Sequence, residues 1–170
     1  KNFEKVSLLV IGDAIVDQYV ACDVLGMSAE APVIVTRELE SKEYIGGAAI
    51  VAKHLKMAGA NVCFTTILGD DILKKFVVDE MKKSKIKLNF ILDKNRPTTN
   101  KNTIIASGYN LLKIDKVDNQ PISSNILNRM KSIISKEKTD LLIFSDFRHG
   151  IFNKSSIPVL SSSVKKGIFK

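Results

Sequence analysis

Four short, nearly unbroken apolar runs constrain the fold of this 170-residue chain more than any other feature. They occupy residues 5–12, 61–68, 88–92 and 139–145, and they lack the alternation of a strand with one wet face. Such strands are buried on both sides, which is the situation in a parallel sheet whose crossovers are helices. Helical spacing fills the gaps between them. Ala48, Val51, Ala52, Leu55 and Ala58 form one stripe, Leu73, Phe76, Val77 and Met81 a second, and Ile126, Leu127, Met130, Ile133 and Ile134 a third. Asp70 and Asp71 suit the cap of the second helix, and Pro121 and Ser123 open the third. A last helix begins near 153–156 with Pro158 in its first turn, and residues 167–170 read as the opening of a further strand. The pattern predicts an α/β fold: a mostly parallel sheet flanked by helices, with residues 1–170 forming part of a single domain.

Two stretches break the β-to-α rhythm. From about 19 to 44 the chain passes through a turn at Ser28-Ala29-Glu30-Ala31-Pro32 and a strand at Val33–Arg37. From 97 to 117 it reads as two strands joined at Ser107-Gly108-Tyr109-Asn110. Both are β excursions outside the main sheet. Polar residues gather where these excursions meet it. Asp13 and Asp17 follow the first apolar run, and Asp146 follows the last, at the strand edge where open α/β sheets bind ligands. Either of the first two could instead cap a turn. Gly46 and Gly47 open the first helix, where the missing Cβ atoms allow close approach of a ligand or simply tight helix–strand packing.

The charge balance excludes little by its size and more by its distribution. Residues 1–60 hold six Lys or Arg against eight Asp or Glu, and the remainder 20 against 10. The excess lysines are dispersed along helices, and three Tyr with no Trp leave few platforms for stacking bases, so nucleic acid is not an expected partner. An anionic, phosphorylated ligand remains compatible. No apolar run nears the roughly 20 residues of a membrane span, so no membrane partner is expected. Cys22 and Cys63 show no metal-ligand spacing, consistent with a cytoplasmic protein.

In order along the chain come Gly-Asp-x-x-x-Asp, Ser-Ala-Glu-Ala-Pro-Val, Gly-Gly-Ala-Ala, Gly-Asp-Asp, Arg-Pro-Thr-Thr-x-Lys, Leu-Leu-Lys-Ile-Asp and Ser-Asp-Phe. This series resembles the N-terminal half of ribokinase-like (PfkB) sugar kinases, and most closely the type that phosphorylates a heptose 7-phosphate. The resemblance implies an α/β sandwich with a small β lid over a sugar, and transfer of phosphate from ATP with Mg2+ to a sugar hydroxyl. Asp13 or Asp17 would hold sugar hydroxyls, since a carboxylate can accept from two of them. Gly46 and Gly47 would leave room for the ring, Lys101 would reach a substrate phosphate from the lid, and Asp146 would lie near the sugar or the phosphoryl path. Two lids packed together would make a homodimer.

Three positions depart from the family's pattern, which has asparagine, arginine and lysine where Ile50, Thr103 and His149 stand. His149 could donate when protonated, or be an ordinary surface imidazole; His54 reads as solvated. The Gly-Ala-Gly-Asp motif that carries the catalytic base and anion-stabilising donors is not matched, and no P-loop takes its place. The expectation is therefore a chain truncated before the ATP-binding half, with no catalytic residue of its own. A non-catalytic sugar-phosphate sensor or dimerisation module is the alternative. A dinucleotide-binding oxidoreductase is disfavoured, since no Gly-x-Gly-x-x-Gly follows the first strand.

Overall fold

A computed structural model describes residues 3–164 and Ile168. The chain runs through β1 (Ser7–Gly12), β2 (Ala14–Met27), β3 (Ile34–Gly46), α1 (Gly47–Met57), β4 (Asn61–Leu68), α2 (Ile72–Lys83), β5 (Lys87–Leu92), β6 (Thr99–Ala106), β7 (Tyr109–Lys116), α3 (Ser124–Lys136), β8 (Leu141–Ser145) and α4 (Ser156–Ser162). The four apolar runs become one sheet in the order β5-β4-β1-β8, and every pairing in it is parallel.

The unbroken apolarity of β1 has a direct cause in this arrangement. Leu8 and Val10 face one helical layer, packing with Ala48 and Ala52 of α1, Phe64, and Val77 and Met81 of α2. Leu9 and Ile11 face the other, with Ile126, Met130 and Ile134 of α3 and Leu160 of α4. Residues that alternate along a strand point to opposite faces, so a strand covered on both sides has no polar positions to spare. Capping follows the expected chemistry. The Asp71 carboxylate accepts from Lys74 N–H at 3.1 Å, and Ser123 Oγ from Ile126 N–H at 3.3 Å. Pro158 is the third residue of α4, where its missing donor costs nothing.

The two β excursions form one separate sheet, β3-β2-β6-β7. Here the structure enlarges the expectation. β2 starts two residues after β1 ends, so Asp17 lies in a strand of the second sheet and not in a loop at the edge of the first. Ala14, Ile15, Val16 and Ile45 are buried, and they root this sheet on the body. The turn-like segment 28–33 closes the β2–β3 hairpin, with Ser28 N–H donating to Val33 O at 2.9 Å. Of the expected strand at 167–170, only Ile168 is described, and it belongs to no strand; the rest lies outside the described residues. No helix among the described residues is long and apolar enough to cross a membrane.

Candidate functional site

The carboxyl ends of β1 and β8 and the root of the second sheet meet at Asp13. Its side chain is 4% exposed. Oδ2 accepts from Phe147 N–H (3.1 Å) and His149 N–H (3.3 Å), and its main-chain oxygen accepts from Ala48 N–H (2.8 Å) in the first turn of α1. One residue thus ties β1, the loop after β8 and the start of α1 together. Burial pushes its pKa above the usual carboxylate value, against the opposing pull of those two N–H donors. Asp13 and Asp17 thus differ in setting: Asp13 Oδ2 is held by the loop after β8, while Asp17 stays half-buried on a face of the lid sheet.

Gly46 and Gly47 differ as sharply. Gly46 has an extended backbone with φ −127°, and a Cβ there would run into Asp17 Oδ2. Gly47 has φ +59°, and a Cβ would strike Asp13 O and lie 2.8 Å from Ile15 Cγ1. The first glycine leaves space for the Asp17 carboxylate, and the second lets α1 begin.

Strand pairing decides what surrounds Asp17. It lies opposite Tyr44 on β3 and Lys101 on β6, and Lys101 lies opposite Asp115 on β7. Directly paired residues project to the same face. One row outward come Lys42, Tyr19, Thr103 and Lys113. Tyr19 and Tyr44 meet edge to face, with ring centroids 5.8 Å apart. Lys101 Nζ is 3.5 Å from Asp115 Oδ2. Burial raises the pKa of Asp17 and Lys101 lowers it, with burial the larger effect.

His149 is not a surface imidazole. It is 8% exposed, and its Nδ1 is 2.7 Å from Asn119 Oδ1. Burial lowers its pKa, so the ring is neutral near pH 7, with Nδ1–H donating to Asn119 and Nε2 left as an acceptor. The charges of Asp13 and Asp146 reach this ring from one side, and those of Lys101 and Asp115 from the lid. His149 thus joins the body and lid clusters into one polar region. Asp146 is exposed, and its Oδ1 accepts from Arg148 N–H at 2.7 Å. His54 is exposed on α1 as expected.

Sequence reasoning missed Arg96, which locks three loops. Nε contacts Asp93 Oδ2 (3.1 Å), Nη1 donates to His149 O (3.2 Å) and Nη2 to Gln120 O (3.1 Å). Asp71 adds a further tie, accepting from Thr98 N–H at 2.7 Å while it caps α2. The Arg-Pro-Thr-Thr motif contained the signal, but nothing local shows that Arg96 faces inward. A small cavity lies among Asp13, Arg96, Pro97, Thr99 and His149. A larger one, about 300 Å³, opens at the opposite edge of the main sheet, remote from this site. Its Lys56, Lys85 and Lys138 lie at or just past helix C-termini, where they offset the helix dipoles.

Among the described residues no group of three His, Cys, Asp or Glu is arranged to hold a metal ion. The described residues of this site therefore do not fit a resident Mg2+ ion.

Comparison with known proteins gives a consistent result. Residues 5–142 match the family described as pfkB family carbohydrate kinase. The bifunctional protein HldE of Campylobacter jejuni subsp. jejuni serotype O:6 is 34% identical over 167 residues, which is 98% of this chain and 33% of that protein. The HldE of Nitratiruptor sp. is 31% identical, covering 91% of this chain and 36% of the relative. The chain thus spans about a third of the length of the curated relatives it matches. Among solved structures, a putative sugar kinase from Clostridium perfringens aligns with TM-score 0.69 at 18% identity, covering 94% of this chain and 48% of that one. Phosphofructokinase-2 from Escherichia coli, in complex with fructose-6-phosphate, aligns with TM-score 0.72 at 12% identity, covering 97% and 53%. These structural likenesses establish a ribokinase-like fold.

Proposed function

The chain belongs to the pfkB family of carbohydrate kinases, and from that premise we propose that it forms the acceptor-binding and lid part of a kinase. The reaction is transfer of the ATP γ-phosphate to a hydroxyl of a sugar phosphate, a heptose phosphate by its likeness to the HldE proteins. The family implies ATP and Mg2+, which would supply the transferable phosphate and its charge neutralisation.

One observation carries the proposal: a half-buried carboxylate, Asp17, set against a glycine that has no room for a side chain. Asp17 accepts hydrogen bonds from sugar hydroxyls, and Gly46 keeps the floor beneath it open. Tyr19 and Tyr44 offer ring surface to the apolar faces of the sugar. Asp146 lies at the mouth of β8, on the path a transferred phosphate takes, and neutral His149 contributes an acceptor at Nε2. The lid also carries an outward apolar surface. Pro32, Val33, Ile34, Ile104, Leu111 and Leu112 line an open hollow of about 420 Å³ there. Burial of that surface against a second lid makes the assembly a homodimer.

The test is equilibrium binding of D-glycero-β-D-manno-heptose 7-phosphate to the native chain and to Asp17→Ala. Loss of a buried hydroxyl contact to a carboxylate costs about 1–3 kcal/mol, or roughly 5- to 150-fold in affinity. Equal affinities would remove Asp17 from the site.

A further inference from the structure

Every acceptor that already carries a phosphate brings a second anionic group into a site built around Asp17. We infer that Lys113 on β7, and not Lys101, is the cation that meets this phosphate, an inference that rests on the acceptor-site reading above.

On the Asp17 face of the lid sheet the cations are Arg37, Lys42, Lys101 and Lys113. Arg37 is paired with Asp23 at 2.8 Å, and Lys42 with Glu40 at 2.9 Å. Lys101 sits between two carboxylates, since Asp17 is its register partner on one side and Asp115 on the other. That row carries two negative charges and one positive, so it repels a phosphate while it attracts neutral hydroxyls. Lys113 is exposed and makes no ion pair among the described residues. Its row holds Tyr19, Thr103 and, on β3, Lys42, with no carboxylate in it, and Thr103 is 7% exposed. Its charge still reaches Asp17 and lowers that carboxylate's pKa. Arg96 is not an alternative, because its guanidinium is fully engaged and its side chain only 9% exposed.

This arrangement also sets the orientation of the sugar. Asp17 and Tyr19 are two residues apart on one strand, so the Lys113 row lies about 7 Å beyond the Asp17 row. β2 leaves the body at Ala14, so the Lys113 row is the outer one. The phosphate end of the acceptor therefore points toward the lid tip, with the ring hydroxyls over Asp17. The hydroxyl to be phosphorylated points inward, toward Asp146 and His149.

Isothermal titration with two probes, heptose 7-phosphate and the same heptose without phosphate, tests the assignment. Lys113→Ala should weaken the phosphorylated probe by about 10- to 100-fold, as expected for one charge-assisted contact, and leave the unphosphorylated probe within about twofold. Lys113→Arg should restore most of the loss. Lys101→Ala should affect both probes alike, because its partners are the site's own carboxylates. A Lys113→Ala loss that is equal for both probes, or absent, overturns the inference and leaves the acceptor site standing. A selective loss in Lys101→Ala overturns it in favour of Lys101. If the native chain binds neither probe, the acceptor-site reading falls and this inference with it.

Discussion

Adding one methyl group at each of two adjacent glycines should separate binding from folding. Gly46 has φ −127°, a conformation alanine adopts freely, and the atoms a Cβ would meet first are the end of the Asp17 side chain. That carboxylate is half-buried and can swing aside at about 0.5–1.5 kcal/mol for an off-rotamer position. Reduced freedom of the unfolded chain returns about 0.4–1 kcal/mol. The two nearly cancel, so Gly46→Ala should shift Tm by no more than about 4 °C. Its sugar affinity should fall about 5- to 150-fold, since the displaced carboxylate loses its hydroxyl contacts. Gly47 is different in kind. A side chain at φ +59° costs about 1–2 kcal/mol, and the Cβ would strike the main-chain oxygen of Asp13, which α1 needs as its first acceptor. Overpacking of this sort adds about 1–3 kcal/mol, so Gly47→Ala should lower Tm by about 5–15 °C. Thermal unfolding by circular dichroism and heptose 7-phosphate titration measure the two effects. Native affinity in Gly46→Ala, or a larger stability loss there than in Gly47→Ala, would refute the reasoning.

Two further outcomes follow from the structure. Asp13 has its pKa raised by burial, so between its unfolded value near 3.8 and its higher folded value the native state holds more protons, and stability falls as pH rises. Asp13→Asn keeps an oxygen for the Phe147 and His149 N–H groups without the charge, so in urea unfolding it should gain on the native chain as pH rises through that window, then level off; a pH-independent difference contradicts this. For the lid, light scattering should give a dimer mass for the native chain and a monomer mass when Ile34 and Ile104 are both changed to Lys, whereas a native monomer or an unchanged double variant would sink the lid-to-lid contact.

The main sheet was legible in the sequence because its strands are covered on both faces. Leu8 through Ile11 have no wet side, so an unbroken apolar run and a buried parallel strand are the same fact stated twice. The caps at Asp71 and Ser123 were legible for a similar reason, since a cap acts within three residues of chain. The lid was legible as β structure, but its sidedness was not. Counting back from the turn at Ser107-Gly108 places Lys113 opposite Asn102 and Ile114 opposite Lys101. A bulge after Ile105 leaves Leu111 without a partner, which brings Lys113 opposite Thr103 and Asp115 opposite Lys101. One extra residue moves every later side chain to the other face, so the charge pattern around Asp17 depends on a kink that no local preference announces. The separate fates of Asp13 and Asp17, and the burial of His149, also came only from the fold. All three depend on groups more than 20 residues away: Phe147 for Asp13, Gly46 and Lys101 for Asp17, and Asn119 for His149. Local sequence reports what a residue can do, and the long-range pairing of the strands decides which group it does it to.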